Sequence, residues 1–230
     1  MNNNERIIIA LDGDYDSSIK LIDSLDKKAA FYKLNSLFIS NPSIISYIKE
    51  KNAKIFLDLK FHDIPNTVSK HIKAACTLGV DMITVHTFGG MDMMKAAART
   101  AEKTSSELNI KRPLILGVTI LTSIDQQILN NELSVKKSLE DEVIFLAENA
   151  KKAGLDGIVC SPKEVSIIKK RFGKDFITVT PGIRPKWAQK NDQKRVATPE
   201  EALKDGADYL VIGRAITNAN DPVYAFERLF

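Results

Sequence analysis

The stretch Ala153-Gly154-Leu155-Asp156-Gly157-Ile158-Val159 reads as the end of a helix, a left-handed glycine, and the start of a short buried strand. The same pattern recurs as Leu78-Gly79-Val80-Asp81 ahead of Met82–Val85, and as Asp205-Gly206-Ala207-Asp208 ahead of Tyr209–Ile212. Such a trace is left by one supersecondary unit used again and again. Working outward from these junctions, further apolar runs stand at Ile7–Leu11, Ala29–Leu34, Lys54–Leu59, Leu114–Val118 and Phe176–Val179. Between the runs lie stretches of helical period: Ser17–Leu25, Pro42–Lys51, Thr67–Leu78, Met91–Glu107, Leu139–Ala153, Lys163–Phe172 and Pro199–Asp205. A last helix is expected over Pro222–Leu229. Eight strands and eight helices in strict alternation predict parallel βαβ units. Eight such units in 230 residues predict a closed (β/α)8 barrel, the TIM barrel, rather than an open doubly wound sheet. The open sheet would need fewer strands, and no Gly-x-Gly-x-x-Gly follows the first run. No Pro/Gly/Ser-rich linker divides the chain, so residues 1–230 read as one domain.

Composition narrows the class. Basic residues (33) and acidic residues (29) are scattered rather than segregated, and the net charge is only +4, which argues against a nucleic-acid or membrane footprint. The lysine-rich stretch Lys186–Arg195 reads first as a solvated loop. Two cysteines, Cys76 and Cys160, suggest neither a disulfide framework nor a zinc site and fit a reducing cytoplasm. Residues 1–6 run straight into a strand, which is neither a signal peptide nor a membrane anchor.

In such barrels the chemistry sits at the carboxyl ends of the strands. The first run ends in Leu11-Asp12, the second in Tyr32-Lys33-Leu34-Asn35, and the third in Asp58-Leu59-Lys60-Phe61-His62-Asp63. Asp58 and Lys60 are two apart on a strand, so both point to the same face, while Leu57, Leu59 and Phe61 face the covering helices. Charges aimed into a barrel need partners. Lys33, Asp58, Lys60 and Asp63 together would form a neutral array of two cations and two anions. The seventh run leads into Thr180-Pro181-Gly182-Ile183-Arg184-Pro185 and the eighth into Gly213-Arg214. Loops after strands seven and eight form the usual phosphate site of this architecture, with Gly213 admitting backbone amides and Arg214 offering a bidentate fork. Pro185–Ala197 then reads as a lid that grips the phosphate. Of the three histidines, His71 falls mid-helix, His86 ends the fourth run and could orient a loop, and no pair has metal-ligand spacing.

The string Asp58-Leu59-Lys60-Phe61-His62-Asp63-Ile64-Pro65-Asn66-Thr67 resembles the signature of the orotidine 5'-phosphate decarboxylases. The resemblance continues through Ala10-Leu11-Asp12, Tyr32-Lys33, Val118-Thr119, Leu121-Thr122-Ser123, Thr180–Arg184, Gln193 and Ile212-Gly213-Arg214, all in the family's order. It implies conversion of orotidine 5'-monophosphate to UMP and CO2, the last step of pyrimidine synthesis, with no metal or organic cofactor. It implies Lys60 as the proton donor to C6, Asp58 beside the substrate carboxylate, and Lys33 bridging that network to the ribose. Asp12 would hold a ribose hydroxyl, and Thr122 and Ser123 the pyrimidine. Arg184, Gln193, Gly213 and Arg214 would belong to the phosphate end, and Pro181 would also bind substrate. Asp63, Ile64 and Thr67 would enter the neighbouring site of a homodimer. The chain departs from the pattern at Asn35, where the family commonly has Gly, so a local loop change is expected. The main alternative is a metal-dependent sister, a sugar-phosphate decarboxylase or hexulose-phosphate synthase. Those enzymes typically carry an acid where this chain has Lys33. A phosphoribosyl-type isomerase would need an acid on strand five, which ends in Thr119. A non-catalytic nucleotide-binding barrel would bind UMP without turnover.

Overall fold

The computed structural model describes residues 3–188 and 195–230. Among them, eight strands close into a barrel: β1 (Ile7–Leu11), β2 (Phe31–Leu34), β3 (Lys54–Phe61), β4 (Met82–His86), β5 (Leu114–Val118), β6 (Gly157–Val159), β7 (Ile177–Thr180) and β8 (Tyr209–Ile212). Each pairs in parallel with its sequence neighbours, and β8 returns to β1 through Ile7↔Leu210 and Ile9↔Ile212. This is the (β/α)8 barrel expected from the alternation. Strict one-to-one alternation does not hold, because short helices at Ser36–Ser40, Gln126–Asn131 and Arg214–Thr217 are added. Four to six residues are too few to show a helical period, and so these pieces leave no pattern to read. The second major helix also starts later than expected, at Ile44.

The three repeated junctions share one physical device. Gly79, Gly154 and Gly206 adopt φ of 65°, 84° and 100°, where a side chain would be strained. The aspartate two residues on then accepts a backbone N–H near the start of the preceding strand. Asp81 takes Ile55 N at 2.9 Å, Asp156 takes Ile115 N at 2.7 Å, and Asp208 takes Thr178 N at 2.7 Å. Each glycine therefore ends a helix, and each aspartate pins one strand to its neighbour at the face opposite the strand ends.

Two cores result. Outward residues such as Ile7, Ile9, Leu57 and Ile83 pack against the helices, and Leu59 and Phe61 join this layer as expected. Inside the barrel, Ile8, Ala10, Phe31, Phe56, Met82, Leu116, Val179 and Val211 form a separate apolar plug, closed below by a T-shaped Phe31–Tyr209 contact. Strand side chains alternate, so the next inward positions past the plug are Asp12, Lys33, Asp58, Thr84, Val118, Pro181 and Gly213. The plug is the floor on which the site is built.

Candidate active site

A cavity of about 310 Å³ opens above the plug, within the range of small-molecule sites. Asp12, Lys33, Asp58, Lys60, Thr122, Ser123, Pro181, Arg184, Gly213 and Arg214 all line it. Its charged wall is a chain of contacts. Lys33 Nζ lies 3.4 Å from Asp12 Oδ1 and 3.7 Å from Asp58 Oδ2, and Lys60 Nζ lies 2.8 Å from the same Asp58 oxygen. Asp58 is buried, and its carboxylate is flanked by two cations, which offsets its loss of water. Away from the charged wall, β5, β6 and the segments that follow them supply an apolar wall, with Val118, Ile120 and Val159 beside Cys160, above Phe56 of the plug. Burial pushes the Cys160 thiol up, so it stays a neutral part of that wall.

Lys60 reaches Asp58, but not by simple alternation. The β3–β4 register runs Leu57↔Ile83 and then Phe61↔Val85, so Asp58, Leu59 and Lys60 oppose Thr84 alone. Lys60 has φ of 50°, the left-handed region that residues with a Cβ seldom occupy. The bulge re-aims its side chain toward the mouth, and 30% of that side chain remains exposed.

Asp63, Ile64 and Thr67 do not join this array within the chain. The Asp63 carboxylate accepts Ile64 N at 2.6 Å, and Ile64 is 66% exposed. The reason is local: Ile64 precedes Pro65, is held extended at φ −58° and ψ 152°, and turns the chain away before the helix Pro65–Thr77 begins. Within one chain the second anion beside the two lysines is Asp12, and Asp63 stands outside the array that the spacing suggested. Asn35 has φ −137° and ψ −105° and leads into the short helix Ser36–Ser40, so the departure from glycine sits beside an added element.

On the β8 side of the cavity Gly213, next to Asp12, precedes the helix Arg214–Thr217, and Arg184 lines the same cavity from the chain leaving β7. Arg184 N donates to Ala197 O at 2.8 Å, and Ile183 and Ala197 form a parallel bridge. Gly182 is needed there: its φ is 83°, and a Cβ would sit 2.6 Å from the Arg195 carbonyl oxygen. Gln193 lies outside the described residues.

Two residues, Arg195 and Thr84, carry no signal in the sequence that marks them. Arg195, placed with a solvated lysine-rich loop, is only 6% exposed. It pairs with buried Glu164 at 2.6 Å and donates at 3.0 Å to the carbonyls of both Ile120 and Leu121. Burial pushes the Glu164 carboxyl up, against the pull of Arg195 and Ser161. Lys186 and Trp187 of the same stretch are exposed, as a loop should be. Thr84 is fully buried and donates to Asp58 Oδ1 at 3.0 Å. His86, expected to orient a loop, accepts Phe88 N at 3.4 Å and stacks on His62 with centroids 5.4 Å apart. Burial first, then neighbouring His62 and Lys60, hold its pKa down at about 4. Among the described residues, no group of three or more His, Cys, Asp or Glu side chains is gathered so as to hold a metal, and no helix is long and apolar enough to cross a membrane.

Comparison with known proteins shows the family. Residues 5–229 match the orotidine 5'-phosphate decarboxylase / HUMPS family. The chain is 44% identical over 228 residues to the orotidine 5'-phosphate decarboxylase of Moorella thermoacetica, covering 98% of this chain and 90% of that one. It is 45% identical over 229 residues to the enzyme of that name from a Nostoc species, with 98% and 96% covered. Among solved structures, orotidine 5'-phosphate decarboxylase from Lactobacillus acidophilus superposes with a TM-score of 0.85 at 38% identity, over 98% of this chain and 97% of that one. An uncharacterized conserved protein from Geobacillus kaustophilus gives 0.84 at 35%, over 97% of each. With the barrel, the alternating charges of its mouth and full-length identity all in agreement, the chain belongs to the orotidine 5'-phosphate decarboxylase / HUMPS family.

Proposed function

We propose that this protein is a carboxy-lyase that converts orotidine 5'-monophosphate to UMP and CO2, with Lys60 delivering the proton to C6. The observation that carries this reading is one cavity lined both by the Asp12–Lys33–Asp58–Lys60 chain and by Arg184 with Arg214. The phosphate would lie between the two arginines and the Gly213 amides, where planar forks and short-helix N–H groups meet an anion. Thr122 and Ser123 would hold the pyrimidine, and Asp12 with Lys33 the ribose. Gln193 would complete the phosphate end, and Pro181 would line the substrate cavity.

Breaking the C6–carboxylate bond leaves its electron pair on C6 as CO2 departs. An ammonium beside that carbon stabilises the developing charge, and then one of its protons forms the new C6–H bond. Lys60 is left as a neutral amine and regains a proton from solvent. Asp58, on the side where the substrate carboxylate must sit, repels that group in the ground state and holds Lys60 in line. The apolar wall excludes water, which strengthens both effects.

In this reading Asp63, Ile64 and Thr67, which do not line the cavity of their own chain, enter the neighbouring site of a homodimer. Residues 1–230 act as one catalytic domain in the cytoplasm, with a small nucleotide as substrate and neither nucleic acid nor membrane as partner. The reaction is run without a cofactor.

The test is to treat the protein with a chelator and follow the ultraviolet absorbance of orotidine 5'-monophosphate, beside Lys60→Ala. Loss that survives the chelator and collapses in the variant supports the reading. An inert wild type that turns over sugar phosphates when magnesium is added would instead support the sister activity, hexulose-phosphate synthesis or sugar-phosphate decarboxylation.

A further inference from the structure

We propose that Thr84 is the positioning residue of the Asp58–Lys60 pair, an inference that rests on the decarboxylase reading of that pair. In a parallel ladder each strand N–H normally meets a carbonyl of the next strand. At the β3 bulge three residues face one, and the ladder has no carbonyl to offer Lys60. Its N–H donates instead to Thr84 Oγ1 at 2.8 Å. The same hydroxyl reaches Asp58 Oδ1 at 3.0 Å.

These two contacts fix the direction of the hydroxyl. A backbone N–H can only donate, so the oxygen must accept from Lys60, and its single proton is committed to Asp58. Oδ1 is thereby held down against the strand. Oδ2 is left as the oxygen that meets both Lys60, at 2.8 Å, and Lys33, at 3.7 Å. One hydroxyl thus sets both the left-handed backbone of Lys60 and the face that Asp58 presents to the cavity. Thr84 does not itself line that cavity, and its side chain is fully buried. It touches neither reacting atoms nor substrate, so its influence must pass through its two partners. The branch at Cβ limits its rotamers, which suits a part that must not swing.

The experiment compares wild type with Thr84→Val, which keeps shape and loses the hydroxyl, and Thr84→Ser, which restores it. Steady-state decarboxylation of orotidine 5'-monophosphate is measured per folded molecule, with UMP affinity as a check on the rest of the site. The expected result is a kcat for the valine variant lowered roughly 10- to 100-fold, the size of loss a misplacement of about 1 Å produces. KM and UMP affinity should stay within about threefold, since the phosphate and pyrimidine contacts are untouched. Serine should return kcat to within a few-fold of wild type. A valine variant with wild-type kcat overturns the proposal, as does a serine variant as slow as the valine one. Should the valine variant fail to fold, Thr84→Cys, a small apolar replacement with only a weak donor, is read by the same criteria. A wild type without decarboxylase activity would defeat the underlying reading instead, and the two failures are distinguishable.

Discussion

Lys60 offers a test of the backbone that does not depend on its chemistry. Two substitutions, Lys60→Ala and Lys60→Gly, remove the same ammonium and the same contact with Asp58, which keeps its partners Thr84 and Lys33 in both. They differ in the Cβ. At an ordinary strand position glycine is less stable than alanine by about 0.5–1 kcal/mol, because the unfolded chain gains freedom. At φ 50° the alanine Cβ crowds its own carbonyl and costs about 1–2 kcal/mol, which glycine escapes. The balance should favour glycine by roughly 0.5–1 kcal/mol, the reverse of the usual order. For a chain of this size that is a melting-temperature difference of about 1–4 °C, readable in parallel urea and thermal unfolding curves. Both variants should be equally poor decarboxylases, so the difference appears in stability alone. A Lys60→Ala protein as stable as Lys60→Gly, or more so, would refute the claim that this residue sits under backbone strain.

Two further outcomes follow from the buried polar groups. The pKa of His86 is about 4 when folded against an unfolded value of 6.5, so on acidification the unfolded chain takes up the proton first. The stability held above pH 6.5 should fall as pH drops toward 4, by about 1–2 kcal/mol once screening at this half-buried ring is allowed for, and urea titrations of a His86→Asn variant should show a flatter dependence over that window. Arg195→Ala should cost about 3–5 kcal/mol by stranding buried Glu164, whereas Lys28→Ala, which breaks the exposed pair with Glu227, should cost less than about 1 kcal/mol in the same denaturant series.

The barrel was legible because its signals are local and repeated. Three Gly-x-Asp junctions and eight β-branched runs lie within a few residues of the elements they announce. Cavity residues at strand ends were legible for the same reason, since Asp12, Lys33, Asp58 and Gly213 each continue the inward side of their own strand. The reading weakened where the cause is distant in sequence. Arg195 sits in a run of lysines and looks solvated, while its partners Glu164 and Ile120 lie 31 and 75 positions away. Thr84 carries no charge to mark it, and its role exists only because another strand bulges opposite it. Asp63 stands apart from the array of its own chain because spacing along β3 does not report the turn that Pro65 imposes. Lys60 was aimed correctly by a rule of alternation that the backbone there does not obey.

The closed order of the strands also has a consequence in time. β1 meets β2 once some thirty residues exist, but its other edge waits for Leu210–Ile212 at the opposite end of the sequence. At roughly 5–20 residues per second of synthesis, Ile7–Leu11 stands with one side unsatisfied for about 10–40 s. During that interval the emerging chain carries an open apolar edge that any other nascent strand could join. Arg6, which donates to the carbonyls of Ala207 and Asp208, fastens the seam only after the last strand has left the ribosome. Among the eight strands of this barrel, the first to be made is the last to be paired on both sides.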